Sequence, residues 1–230
     1  MTAVATIQNP ITRSRVLWAV IGVVAAAIVV LCTVLVRDGV VSQFERDVFH
    51  AINDLPDAFE IPMVGVQYLG VAVVPFGVAL VAAILRRWHL VIAALLVYPL
   101  KLVLEKVVLK EIVYRGRPGT SVPDAILRHA PARGPSFPSG HAIIAFALAG
   151  ILAPYLTRGW RIVAYVVAVA VAISRIYLGA HNPLDVVAGA AGGLLIAAAL
   201  NLLLAPGFGV LGGRRADRDP DPGDRTDRSI

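Results

Sequence analysis

The chain has 230 residues, 58% of them hydrophobic and 16% charged, and its mean hydropathy of +0.77 lies outside the range of soluble domains, so the composition is that of a membrane protein. Its formal net charge of +6 comes mostly from arginines clustered between apolar segments rather than along one stripe, which argues against a nucleic-acid partner. A single cysteine, Cys32, excludes an internal disulfide and a cysteine-based metal site, and within an apolar run it reads as a small buried hydrophobe.

Arg13 and Arg15 precede the first apolar run, which is too long for a signal-peptide core, lacks a small-residue cleavage site and is expected to stay as an anchor. Runs long enough to cross a bilayer fall at 16–36, 64–85, 90–109, 142–157, 162–178 and 184–205. The expected fold is therefore an all-α polytopic bundle of six transmembrane helices, because backbone groups in lipid must be satisfied within the segment. The fourth and fifth runs are short, and their helices are expected to extend into the flanking polar residues. Residues 1–15 are expected to be a cytoplasmic segment, 16–205 the membrane domain and 206–230 a disordered cytoplasmic tail rich in Pro, Asp and Arg.

Between the first two runs, "RDGVVSQFERDVFHAINDLPDAFEIP" carries Phe44, Val48, Phe49 and Ile52 on one side at helical period, which predicts an amphipathic helix on the membrane surface. In the third run, Lys101 and Glu105 lie four apart and read as an interior ion pair in preference to a proton path, with Lys106 beside them. Residues 110–140, rich in Pro, Gly and Arg, predict a folded loop over the bundle. Gly189 and Gly193 give the last run a small-residue face for close contact within the bundle, with a homodimer interface as the alternative.

Three polar stretches interrupt this pattern at helix ends that emerge on one side of the membrane: "KEIVYRGRP" (110–118), "PSGH" (138–141) and "SRIYLGAHNPLD" (174–185). Lys110, Arg117 and Arg175 supply three cations suited to an oxyanion such as phosphate. Ser139 is placed to cap the following helix, and Gly140 lets backbone N–H groups approach the same anion. His141 and His181 on opposite sides of one phosphate could supply a nucleophile and an acid. Asn182 as cap and Pro183 at the first helical position put Asp185 in the first turn, within reach of His181, where a carboxylate would fix the imidazole tautomer.

The ordered set Lys110-x6-Arg117-Pro118, Pro138-Ser139-Gly140-His141 and Ser174-Arg175-x5-His181-x3-Asp185 resembles the three-part signature of the type 2 phosphatidic acid phosphatase superfamily over residues 40–205. That superfamily includes membrane lipid phosphate phosphatases, polyprenyl diphosphate phosphatases and soluble vanadium haloperoxidases. The resemblance implies a catalytic set of His181 as phosphohistidine nucleophile, His141 as general acid and Asp185 as orienting carboxylate. It likewise implies that Lys110, Arg117, Ser139, Gly140 and Arg175 bind the phosphoryl oxygens, with no metal and no cofactor. Arg115 either adds to the positive field or is a solvent-facing loop charge, and His50, His89 and His129 read as interfacial or loop histidines. The expected function is hydrolysis of a lipid phosphate or diphosphate, with a lipid phosphotransferase, and more remotely an anion transporter, as alternatives. The expected setting is a bacterial inner membrane. Arg13, Arg15, Arg86, Arg87, Arg158, Arg161, Arg214, Arg215 and Arg218 all fall on one side, which places both termini in the cytoplasm and the site outside.

Overall fold

The computed structural model describes residues 10–204, with side chains from Ser14 onward. The expected disordered tail and most of the N-terminal segment lie outside these residues. The first helix, α1, spans Pro10–Leu35, and α2, Gln43–Asn53, follows a short turn. Then come α3 (Glu60–Gln67), extended by a 3-10 turn to Gly70, and α4 (Val74–Ile84). The fifth helix, α5 (Trp88–Leu102), continues through a π-helical stretch, Val103–Leu109, into a last α turn, Lys110–Ile112. After a loop holding a one-turn helix, Pro118–Ser121, the chain forms α6 (Gly140–Leu152), α7 (Arg158–Tyr177) and α8 (Pro183–Leu204). No strand forms among the described residues, only an isolated bridge between Gly116 and Pro135.

Among the described residues, three segments are long and apolar enough to cross a membrane: Ser14–Leu35, Arg158–Tyr177 and Pro183–Leu204. The second predicted run is built differently from a single straight helix. Asp57–Gly70 and Val74–Ile84 meet at a 62° bend. At the bend Gly70 lies against α6 and α7, where a Cβ would stand 2.8 Å from Val171 Cγ1 and 2.9 Å from the His141 carbonyl oxygen. Pro75, in the first turn of α4, lacks the N–H that continuation of the earlier helix would need. The helix of the fifth run, α7, starts ahead of it at Arg158, as its shortness required, whereas that of the fourth run, α6, starts at Gly140 but ends with its 3-10 turn at Tyr155 and stays short.

The predicted amphipathic helix is α2, with Ser42 capping it by accepting from the Glu45 N–H at 3.2 Å. Its buried residues are Glu45, Phe49 and Asn53, while Phe44 is 78% exposed. The face toward the protein thus carries two polar groups, and part of the apolar side read from the sequence points away.

α8 packs between α1 and α6. Cys32 is buried, in a cluster with Val29, Val36 and Phe137. Close approach to α6 depends on the glycines of α8: a Cβ at Gly193 would stand 2.4 Å from the Ile143 carbonyl oxygen and one at Gly189 2.5 Å from that of Ser139. The small-residue face is therefore used within the bundle. Because the obstructing atoms are backbone, Gly193→Ala is expected to destabilise the detergent-solubilised protein by about 1–3 kcal/mol. Gly65→Ala, where nothing lies within 4 Å, should be near neutral; equal melting temperatures for the two variants would contradict this packing.

Candidate active site

The three polar stretches meet in one cavity of about 410 Å³, lined by Lys110, Arg117, Gly140, His141, Arg175 and His181, together with Lys101, Glu105 and residues of the 70–72 bend. Each comes from a helix end or turn. Lys110 closes the π-helical stretch. In an α-helix, residues five apart point about 140° from one another, whereas π geometry repeats near five residues. Glu105 and Lys110 therefore share a side, and Lys110 Nζ donates to Glu105 Oε1 at 2.5 Å. Lys101, one turn earlier, pairs with Glu105 Oε2, so the expected interior pair exists and has a third member. Lys106 is exposed.

Arg117 is anchored by donating to the Ala180 carbonyl at 2.8 Å, which ties the first polar stretch to the third. Burial lowers its pKa, partly offset by the Asp185 and Glu105 carboxylates. Arg175, at the end of α7, is 7% exposed and donates to Gln67 Oε1 from α3, while its Nε is buried without a partner. Gly179, at φ 72°, turns the chain from α7 toward His181; a Cβ there would strike the Ile126 carbonyl at 2.5 Å.

Ser139 occupies the cap position of α6, but its hydroxyl makes no capping bond and is buried without a partner. Its N–H instead donates to the Asp185 carbonyl at 2.9 Å. Asn182 likewise caps α8 only by position. Its side-chain amide donates to the Gly116 carbonyl and Ser121 Oγ, both at 3.3 Å, while its backbone N–H is taken by Asp185 Oδ2 at 2.7 Å. That last bond is the returning half of a capping box.

Asp185 is fully buried, and the expected direct hydrogen bond to His181 is absent: Oδ2 stands 3.9 Å from Nδ1. Ser136 lies between them, donating its hydroxyl to Asp185 Oδ2 and standing 3.5 Å from His181 Nδ1. The Ser136 hydroxyl thus lies between the carboxylate and the imidazole. Arg115 corrects the sequence reading outright. It is 0% exposed, neither a solvent charge nor part of the cavity, and it donates to Asp185 Oδ1 at 3.0 Å and Glu45 Oε1 at 2.9 Å. Burial opposes its charge, but the two carboxylates more than offset that and raise its pKa. Glu45 Oε1 also accepts from the Leu184 N–H at 2.9 Å. Ser136, Glu45 and Gln67 were not singled out from the sequence. Glu45 on an amphipathic helix reads as a solvent face, and only the nearness of Ser136 to "PSGH" could have drawn attention to it.

His50 pairs with Asp54 and His129 with Glu60, both away from the cavity. Among the described residues, no group of three or more His, Cys, Asp or Glu side chains is placed to hold a metal ion.

The profile of the PAP2 superfamily matches residues 87–206. The chain belongs to the PAP2 superfamily. Among solved structures it is similar to the first transmembrane PAP2 type phosphatidylglycerolphosphate phosphatase from Bacillus subtilis, at 22% identity and a TM-score of 0.65, over 78% of this chain and 94% of that one. It is also similar to LpxE of Aquifex aeolicus, at 25% identity and a TM-score of 0.54, over 67% and 92%. No curated protein sequence is a significant match. With the apolar helices, these likenesses make the chain an integral membrane protein with a PAP2 fold.

Burial pushes the His181 imidazole well below its ordinary pKa, and the positive Arg175 and Arg117 and then His141 push the same way. The ring is therefore neutral at pH 7 and gains its proton only in acid. In micelles of 15N-histidine-labelled protein, the one signal lost in His181→Gln should report a neutral ring at pH 6.5. A charged ring at that pH would contradict the cavity's electrostatics.

Proposed function

We propose that this PAP2 protein is a membrane phosphatase that releases the terminal phosphate of a lipid phosphate or diphosphate through a phosphohistidine. The observation that carries the reading is the convergence of Lys110, Arg117, Arg175, His141 and His181 from three distant stretches on one cavity. Three cations can hold a phosphoryl group and neutralise charge growing on its oxygens. His181, neutral and with Nδ1 turned to Ser136 and Asp185, keeps Nε2 for the cavity. As the N–P bond forms, the bond from phosphorus to the lipid oxygen breaks, and that oxygen takes a proton from His141. Water then gives a proton back to His141, attacks the phosphohistidine and leaves inorganic phosphate. Asp185, through Ser136, stabilises the charge that His181 gains.

Purified protein should release inorganic phosphate from a lipid phosphate in EDTA, and vanadate should inhibit by resembling the transition state. His181→Ala should lose turnover by at least about 10³-fold, as removal of a nucleophile does elsewhere. Near-normal turnover in that variant, or activity that requires added magnesium, would refute the mechanism.

The same reading has six crossings: α1, the bent α3–α4 pair, α5 with its π stretch, α6, α7 and α8. Arg86 and Arg87 join α4 to α5, and Arg158 and Arg161 open α7, so these basic turns lie a helix length from the ends of α5 and α7 that line the catalytic cavity. By the positive-inside rule their end of the bundle is cytoplasmic, and the catalytic cavity opens outside. His129 is exposed beside the site loop, so in a Cys32→Ala background His129→Cys should react with an impermeant maleimide in intact cells or spheroplasts, and Arg158→Cys only after lysis. The reverse pattern would invert the topology.

A further inference from the structure

The catalytic cavity holds more charge than one phosphoryl group uses. Lys110, Arg117 and Arg175 suffice for the transferred phosphate, yet Lys101 and Glu105 also line the wall. Both are largely buried, with side-chain exposures of 13% and 7%. An ion pair on a membrane helix contributes little to stability that apolar residues would not supply better. This one is nevertheless given space. A Cβ at Gly140 would stand 2.7 Å from Glu105 Oε2 and 2.8 Å from Lys101 Cε, so the glycine beside His141 makes room for the pair. Glu105 Oε2 is buried and takes the Lys101 ammonium as its partner.

The pair lies on one side of the cavity. Lys101 and Glu105 stand against Gly140, the residue before His141; both act on His141, after Arg175, and neither is among the groups that act on His181. In the reading above, His141 faces the leaving group. A departing alcohol needs a proton there and no cation. A departing phosphate carries more negative charge away than it brings and needs a fixed positive partner.

We infer that the substrate is a lipid diphosphate, with Lys101 binding the inner, lipid-side phosphate while Lys110, Arg117 and Arg175 hold the terminal one. Glu105 sits between Lys101 and Lys110 and relieves their mutual repulsion, so that each faces its own phosphate. The step balances: His181 bonds to the terminal phosphorus and the bond to the bridging oxygen breaks. That oxygen leaves on a lipid monophosphate whose charge Lys101 meets, and water later releases inorganic phosphate. This inference rests on the phosphatase reading of the same cavity.

The test uses the full chain in detergent with farnesyl diphosphate and farnesyl monophosphate, which share one tail. Their intrinsic reactivities cancel when the ratio of their kcat/KM values is compared between proteins. Lys101→Met should lower the diphosphate-to-monophosphate ratio by about 10–100-fold, the loss expected for a buried charge partner. Lys101→Arg should restore most of it. A ratio unchanged in Lys101→Met makes Lys101 structural and overturns the inference, whatever the fall in total activity. Wild-type protein supplies an arm free of folding effects: imidodiphosphate should inhibit at lower concentration than orthophosphate, and equal potency overturns the inference. Failure of the phosphatase reading looks different, with no phosphate released from either lipid or full activity in His181→Ala.

Discussion

The buried carboxylate of Asp185 is the point on which the rest of the site hangs. It is removed from solvent, and every strong donor around it belongs to a different part of the chain: Ser136 from the loop, the Asn182 N–H from the start of α8 and Arg115 from the end of the first polar stretch. Its own carbonyl accepts from Ser139, so the turn that leads into α6 is set by the same residue. Arg115 extends the network to Glu45 on α2, and Glu45 in turn takes the Leu184 N–H. Losing one member of such a cluster strands a buried charge, which costs roughly 3–5 kcal/mol. The cluster holds four segments, remote in sequence, at fixed distances around two histidines.

Much of this was legible because the chemistry is local to short stretches. Lys110, Arg117, His141, Arg175 and His181 were found by spacing and residue type, and all line one cavity. The helices follow from apolar runs bounded by Pro, Gly and charge. What was missed shares one physical feature: a polar group whose partner lies far away in sequence. Arg115 and Arg117 are two residues apart and equivalent on paper, yet one is sealed between carboxylates and the other reaches the cavity. Glu45 satisfies an amphipathic pattern whether it faces water or Arg115. The bend between α3 and α4 depends on how closely Gly70 can approach His141, a tertiary distance that no periodicity encodes.

Gln67 belongs to the same group. It lies on the last turn of α3 before the bend and accepts from Arg175. Had the second apolar run formed one straight helix, this amide would have no reason to meet the end of α7. The break is thus part of the site, since it carries a neutral acceptor to a guanidinium that otherwise sits among other cations. A carboxylate in place of Gln67 would hold Arg175 more tightly, but it would also consume the positive charge that an anionic ligand needs.

The same economy runs through the whole cavity. Four cations line it, and the one carboxylate among them, Glu105, bonds two lysines rather than standing free. The other two carboxylates, Asp185 and Glu45, are drawn back behind the wall and satisfied by Arg115. Positive charge therefore faces inward, while the negative charge needed to hold the fold is spent one layer out. Asp185 Oδ2 stands 3.9 Å from His181 Nδ1, with the Ser136 hydroxyl between them. A direct contact would favour a protonated ring in the resting protein. With no such contact, burial and the positive Arg175 and Arg117 prevail and hold the His181 imidazole below its ordinary pKa.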